Sequence, residues 1–234
     1  VYDAFQEYLK RTGHEGVFIY ASDHGDHIGN RGLYGKETFY EESSHTPMIF
    51  IGDGIEKGKR IKGATSLLDL GSTICNIAGA PIADDSDSVS LIKELKGECD
   101  DLERMVISEL GGAVNKKTGE IPYAQMVKKG NLKYVRFFST GEEAVYDIAS
   151  DPHEKANVIK EHQAFAKDSR AYLDAHCESI ETIENNAIRQ RKNLDITLKC
   201  SFDSDERWRC PDCARHYPEE MVSGTSKTIP VEWK

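Results

Sequence analysis

The feature that most constrains the fold is a short apolar run that ends abruptly in polar, loop-forming residues. Residues 16–21, Gly-Val-Phe-Ile-Tyr-Ala, are rich in β-branched and aromatic side chains, and Ser-Asp-His-Gly follows at residues 22–25. A run of this kind between turn signals predicts a strand buried on both faces, as in α/β sheets. Ligands of open α/β sheets collect at the carboxyl ends of strands, so a site is expected directly after this run.

Further segments extend this pattern over residues 1–97. Residues 47–51 predict a second strand, and residues 66–78 predict a helix that Gly79 ends. One face of that helix is apolar and carries Leu67, Leu68, Leu70, Ile74 and Ile77. Strand, loop, strand and helix in this order are typical of part of an α/β domain.

The chain opens on a helical pattern. Tyr2, Phe5, Tyr8 and Leu9 recur at steps of three and four, and Gly13 follows as a stop. Because no basic segment or apolar signal core precedes this helix, we expect the chain to begin inside a larger domain.

The pattern changes after residue 98. Four short β-rich runs follow, at residues 105–109, 123–127, 132–138 and 144–148. A tight turn at residues 129–131 joins the middle two, and a long helix is predicted from about Asn157. Residues 98–187 are therefore expected to form a small four-stranded antiparallel sheet with a packed helix, followed by a polar tail at residues 188–234.

Composition excludes some classes of protein. The chain of 234 residues has 40 acidic and 30 basic side chains, a formal charge of −10, and 38% hydrophobic residues. It can bury a sizeable core. It lacks the excess of basic residues that a nucleic-acid binder needs, and it has no apolar run long enough for a membrane helix. Six scattered cysteines are no dense disulfide framework, which favours a reducing compartment.

The residues after the first strand can carry chemistry. Asp23 and His24 offer an oxygen and an imidazole nitrogen to a metal ion, and Lys36 can return across the Gly-rich loop to face an anion. The alternative is that Asp23 caps a turn and His24 is a hydrogen-bonded loop residue. His27 is interpreted as a solvated loop histidine.

Several ordered motifs favour the metal and anion site over the turn, because they resemble the second half of a sulfatase catalytic domain, in the alkaline phosphatase superfamily. In the first half these are Ser-Asp-His-Gly-Asp (22–26), Gly-Leu-Tyr-Gly-Lys (32–36), Phe-Tyr-Glu-Glu-Ser (39–43) with Pro47, and the helix from Ser66 to Gly79. Towards the C-terminus they are Tyr-Asp-Ile (146–148), Asp-Pro-His-Glu (151–154) and Asn157. The resemblance covers residues 1 to about 185 and implies an α/β sandwich of the alkaline-phosphatase type.

The resemblance also implies roles. Asp23 and His24 take the place of ligands to a divalent metal, usually calcium, although an imidazole suits manganese or zinc better. Lys36 takes the place of the lysine that contacts the sulfate, and His45 lies where many relatives have arginine. His24 is found in branches that resemble choline sulfatase and the phosphonate monoester hydrolases. The implied reaction is metal-assisted cleavage of a sulfate monoester of a small molecule or sugar.

The implied nucleophile has no counterpart in this sequence. Sulfatases use a formylglycine made from Cys or Ser in a C/S-x-P/A-x-R context, and none of the six cysteines has that context. We therefore expect the chain to be a C-terminal portion that is inactive without the missing half of its catalytic domain. A phosphodiester or phosphonate monoester hydrolase, and a non-catalytic binding module on the same scaffold, stay open as alternatives.

The tail lies outside the resemblance. Cys200, Cys210, Cys213 and His216 give the spacing C-x9-C-x2-C-x2-H, which could close a tetrahedral zinc site. Free thiols, or a disulfide that involves Cys177, are the alternatives.

Overall fold

A computed structural model describes residues 1–83, 86–111, 123–179 and 182, together with the backbone of three short strands in the tail. Residues Val1–Cys177 form one compact unit, and Glu178–Lys234 form a second. The described elements are α1 (Tyr2–Thr12), β1 (Val17–Ala21), β2 (His27–Ile28), β3 (Tyr34–Gly35), α2 (Glu41–Ser44), β4 (Met48–Gly52), α3 (Asp69–Ala78), α4 (Ile92–Leu95), β5 (Val106–Gly111), β6 (Tyr123–Lys129), β7 (Leu132–Phe137), β8 (Glu143–Asp147), α5 (Gln163–His176), β9 (Ser201–Phe202), β10 (Trp208–Arg209) and β11 (His216–Tyr217).

The first strand is where the sequence predicts it, but its surroundings differ from the prediction. β1 pairs antiparallel with β4, and Tyr20 lies opposite Ile49. Helix α1 ends at Gly13, whose φ of 68° suits a residue without a Cβ, and its Tyr2 packs against Phe18 of β1. Tyr20 and Ile49 are nevertheless 54% and 47% exposed, so burial of β1 on both faces is wrong for the described structure.

The predicted helix is confirmed as α3, although it begins at Asp69 rather than Ser66, and it buries a different side. Asp69 and Thr73 are fully buried, while Ile74 on the predicted apolar face is 45% exposed. Arg104 donates two hydrogen bonds of 2.8 Å to the Asp69 carboxylate, and Thr73 Oγ1 accepts one from the backbone N–H of Leu91. These bonds satisfy the buried polar groups, so the polar side of α3 faces the rest of the chain.

The predicted antiparallel sheet is confirmed, with strand order β5–β6–β7–β8. The turn between β6 and β7 contains Gly130 at φ 51°, as the tight turn requires. Helix α5 packs on one face of this sheet, as predicted, although it begins at Gln163 rather than near Asn157. The core on this side joins buried residues of the sheet and the helix: Val127, Tyr134, Val145, Phe165, Ala166 and Leu173.

The opposite face of the sheet supports the loop region that precedes β4. Phe39, just before α2, packs in a buried cluster with Ala124, Met126 and Val135. Strand residues that point to this face thus hold the segment that contains Phe39 and α2, which is how the sheet positions the candidate site.

The second unit is described only in part. β9, β10 and β11 form a three-stranded antiparallel sheet in the order β11–β10–β9. Cys200, Cys210 and Cys213 lie outside the described residues, and only the backbone of His216 is described, so the zinc site stays a prediction. The cysteines of the first unit (Cys75, Cys99 and Cys177) form no disulfide with one another. No helix in the described part of the chain is both long and apolar enough to cross a membrane.

Candidate active site

A small hairpin returns Lys36 to the end of the first strand. β2 and β3 pair so that His27 lies opposite Gly35, and the turn between them uses Gly29 and Gly32 at positive φ. Lys36, the residue after β3, therefore lies beside the loop that follows β1. Its Nζ is 2.8 Å from Nε2 of His24, across a separation of 12 residues.

Asp23 and His24 converge at the same point. The Nδ1 atom of His24 lies 2.9 Å from the carbonyl oxygen of Gly25, so Nδ1–H donates to that oxygen and the lone pair of Nε2 accepts from the Lys36 ammonium. The Asp23 carboxylate lies 3.5 Å from Nε2. An oxygen and a nitrogen donor thus lie close together, and a divalent cation held by both would take the place that the Lys36 ammonium occupies at Nε2.

The charge of Asp23 is favoured by its neighbours. The backbone N–H of His24 donates to its carboxylate, and the imidazole of His24 and the ammonium of Lys36 lie nearby; together these lower the pKa of Asp23 below its ordinary value. An exposed, ionised carboxylate is the state that a metal ligand requires.

The loop of Asp23 and His24 is fixed directly to α2. The backbone N–H of Gly25 donates to the carbonyl oxygen of Ser43 at 2.9 Å. A Cβ on Gly25 would lie 2.2 Å from the carbonyl oxygen of Glu42, so any side chain would force the two segments apart. Glycine is needed at this position for close approach of two backbones rather than for an unusual φ.

One cavity of about 1070 Å³ is lined by all four candidate residues: Asp23, His24, Lys36 and His45. Its walls also include Pro47 and Ile49 of the β4 segment, and charged residues of both signs: Lys59, Arg60, Lys62, Glu37, Glu56 and Glu109. The four residues that the sequence proposes for the site are thus brought together, whereas the cysteines of the tail and the side chain of His216 lie outside the described part of the chain. The roles of all these residues stay predictions.

Three charged residues behind the cavity were not predicted as site residues: Lys133 and Glu154, which are buried, and Glu41, which is partly buried. Lys133, 1% exposed, contacts Glu41 Oε1 at 2.5 Å and Glu154 Oε1 at 2.9 Å, and Glu154 is itself buried. The backbone N–H of Glu41 donates to Glu154 Oε2 at 2.7 Å. Glu41 and Glu154 lie inside the quoted motifs, so the sequence held a signal, but nothing in it showed that β7 supplies their cation.

The C-terminal motif is structural in this chain. Besides the contacts of Glu154, Asp151 accepts hydrogen bonds from the backbone N–H groups of Lys155 and Ala156. The side chain of Asn157 bridges Glu143 and Val145 of β8. The motif therefore ties the end of the sheet to the segment of Glu41.

His27 corrects one prediction. It is 2% exposed, and its Nε2 lies 2.8 Å from Thr38 Oγ1. The interpretation of His27 as a solvated loop histidine is wrong, because the hairpin folds it under the loop, against the ring of Tyr40.

Comparison with known proteins fits this fold. Residues 29–175, more than half of the chain, match the family model described as "N-sulphoglucosamine sulphohydrolase, C-terminal". The chain belongs to this family of sulfatases, and the resemblance predicted from its motifs is confirmed at family level.

Individual relatives point the same way. The chain is 28% identical over 218 residues to the Delta 4,5-hexuronate-2-O-sulfatase of Bacteroides thetaiotaomicron. This alignment covers 90% of this chain and 41% of that protein. The solved structure of a 2-O GAG sulfatase aligns with a TM-score of 0.59 and 26% identity, over 74% of this chain and 38% of that one. A phosphonate monoester hydrolase from Silicibacter pomeroyi aligns with a TM-score of 0.57 and 25% identity, over 88% of this chain and 41% of that one.

These alignments confirm the alkaline-phosphatase-like α/β class together with the small antiparallel sheet. The chain spans about two fifths of the length of each of these relatives.

Proposed function

We propose that the chain is the part of a sulfatase that binds the sulfate group and contributes to a metal site, for hydrolysis of a sulfate monoester. The observation that carries the proposal is the convergence of Asp23, His24 and Lys36 at one point of a family member.

Each of these residues has a separate task. Asp23 and His24 Nε2 would hold a divalent cation, calcium or else manganese or zinc, which when bound polarises the ester. The Lys36 ammonium would contact the sulfate oxygens and offset the negative charge that grows on the leaving oxygen. His45 would add a fourth polar group at the rim of the cavity.

The remaining parts are proposed to come from a preceding segment. Formylglycine and the other metal ligands would lie there, so this chain alone is expected to be inactive. The exposed apolar face of β1 and β4, with Tyr20 and Ile49, supports this proposal, because such a face is normally covered by the rest of a sheet domain. The relatives, more than twice as long, have room for that segment.

A sulfated sugar is the proposed substrate class. Two of the similar proteins carry names that refer to 2-O-sulfated uronate or glycosaminoglycan. The cavity of about 1070 Å³ has room for a sugar, and Lys59, Arg60 and Lys62 among its lining residues can pair with further anionic groups of that sugar.

Hydrolysis of a phosphonate monoester is the second candidate. It is supported by the likeness to the phosphonate monoester hydrolase, and an imidazole ligand at His24 suits either reaction.

One assay separates these candidates. The protein that contains this chain and its preceding segment would be tested on 4-nitrophenyl sulfate and on the 4-nitrophenyl ester of phenylphosphonate. We expect a preference for the sulfate ester, and at least a 100-fold loss of kcat/KM in K36M but none in K10M, an exposed lysine on α1. Preference for the phosphonate would favour the second candidate. No turnover of either ester, with a folded protein, would favour a non-catalytic binding module.

A further inference from the structure

The position of His45 depends on a chain of charges that reaches from the four-stranded sheet to the cavity. His45 follows α2 and is 74% exposed at the cavity rim, and its Nδ1 lies 3.0 Å from Oε2 of Glu41. The other oxygen of Glu41 contacts Lys133, which is fully buried in β7. One carboxylate therefore links a buried cation to an exposed imidazole.

Glu41 is firmly held in this place. Its backbone N–H donates to Glu154, and Lys133 donates both to Glu154 and to the carbonyl oxygen of Phe39 at 2.7 Å. Because the buried ammonium and both carboxylates are mutually satisfied, the orientation of the Glu41 side chain is fixed by the sheet and not by the loop.

We propose that Glu41 is a positioning residue that turns His45 so that its Nε2–H binds an anionic group of the substrate. The inference rests on the proposed function, since it assumes an anionic ligand in the cavity. With Nδ1–H donated to Glu41, Nε2 is the nitrogen left to donate to a ligand in the cavity that His45 lines, and in the imidazolium it is a charged donor.

The surrounding charges change the pKa of His45, and this pKa sets the fraction of His45 that is protonated at a given pH. The hydrogen bond to Glu41 raises the pKa of His45 above its ordinary value, against burial and the like charges of Lys128 in β6 and Lys133 in β7. Burial alone would disfavour the ionised form of Glu41, yet His45 and Lys133 outweigh it and lower the pKa of Glu41 to about 2. Glu41 therefore stays charged over the whole range in which His45 titrates.

The sign of the pH dependence follows. Anion binding through His45 is strong below the pKa of the imidazole and is lost as pH rises through it. If Glu41 is removed, that pKa falls and the loss begins at lower pH, while the buried pair of Lys133 and Glu154 stays intact.

The test uses the protein that contains this chain and its preceding segment, with inorganic sulfate as the probe and sodium chloride at equal ionic strength as the salt control. NMR follows the His45 ring, assigned by its absence in H45Q, from pH 5 to 9 in the wild type, E41Q and E42Q. Glu42 is the matched control, because it neighbours Glu41 on α2 but faces Arg31. We expect the His45 titration midpoint to fall by about one pH unit in E41Q and to stay within 0.3 units in E42Q.

Sulfate affinity is measured on the same samples. At pH 6, H45Q should bind sulfate roughly tenfold more weakly than the wild type. H45R should bind it across the whole pH range, because guanidinium does not titrate there. An unchanged His45 midpoint in E41Q, or equal sulfate affinity of H45Q and wild type, would overturn the inference.

Sulfate binding by the K36M variant distinguishes the proposed sulfate site from the proposed role of His45. If K36M loses sulfate while H45Q does not, the proposed sulfate site stands and the role of His45 is overturned. If H45Q loses sulfate while K36M does not, the role of His45 is supported and that of Lys36 fails. Wild type that binds sulfate no better than chloride would overturn both.

Discussion

At the scale of single residues, the candidate site depends on a few side chains with separate tasks. His24 uses one ring nitrogen to hold its own loop, through the Gly25 carbonyl, and the other accepts from the Lys36 ammonium at the cavity. Asp23 adds an ionised oxygen beside it. The loss of either donor should therefore weaken cation binding without disturbing the core.

In the protein that contains this chain and its preceding segment, we expect Asp23→Ala to weaken binding of Mn²⁺ at least tenfold, because one of the donors to the cation is removed. Isothermal titration calorimetry at pH 7.5 measures this. Asp3→Ala, on the exposed side of α1, is the control and should bind like the wild type. Equal affinity of the D23A variant and the wild type would show that Asp23 is a turn residue and not a ligand.

Gly25→Ala tests the close approach of the site loop to α2. The new Cβ would lie 2.2 Å from a carbonyl oxygen, so we expect a loss of about 1–3 kcal/mol in the free energy of unfolding. Gly71→Ala is the opposite case, because Gly71 is inside α3 with open space around it and should gain about 0.5–1 kcal/mol. Urea unfolding monitored by circular dichroism measures both; a G25A variant as stable as the wild type would argue against the contact.

At the scale of elements, the four-stranded sheet has two different jobs on its two faces. One face packs against α5 through an apolar core, and the other carries Phe39 and the charged groups behind the cavity. The sheet is thus both the core of the C-terminal half and the support of the candidate site.

Leu173→Ala should weaken the packing of α5 on this sheet. Leu173 is fully buried among the core residues, so we expect a loss of about 2–5 kcal/mol in the free energy of unfolding. Lys167→Ala, an exposed change on the same helix, should stay within about 0.5 kcal/mol of the wild type. If both variants unfold at the same urea concentration, α5 does not pack as described.

At the scale of the whole molecule, buried charges tie the α2 segment to the sheet and make stability depend on pH. The pKa of Glu41 is lowered from 4.5 to about 2 in the folded chain. Its ionisation therefore stabilises the fold above pH 4.5, and this contribution is lost as pH falls from 4.5 towards 2. The raised pKa of His45 acts in the opposite direction, since its contribution is present at low pH and is lost as pH rises through that pKa.

Glu41→Gln should remove this part of the pH dependence. We expect the variant to be about 1–2 kcal/mol less stable than the wild type at pH 6, and the gap to close as pH falls to 2. Urea unfolding at a series of pH values gives the curve. Glu42→Gln serves again as the control, and a gap between E41Q and wild type that stays constant down to pH 2 would contradict the assignment.

Much of this protein was determined by local sequence. The spacing of apolar residues and the turn residues Gly13, Gly79 and Gly130 placed the helices and strands, because periodicity and positive φ are local properties. The order of the motifs gave the family, and the glycines between His24 and Lys36 predicted a loop, within which the structure places the unpredicted hairpin of β2 and β3.

Tertiary structure decided the rest. That α3 buries Asp69 rather than its apolar side follows from Arg104, 35 residues away. That His27 is covered, and that Lys133 supplies the cation for Glu41 from 92 residues further on, depends on which face of a distant strand meets the loop. Local patterns fix which residues share a face, but the partner of a buried charge is chosen by long-range packing, which no spacing along the chain encodes.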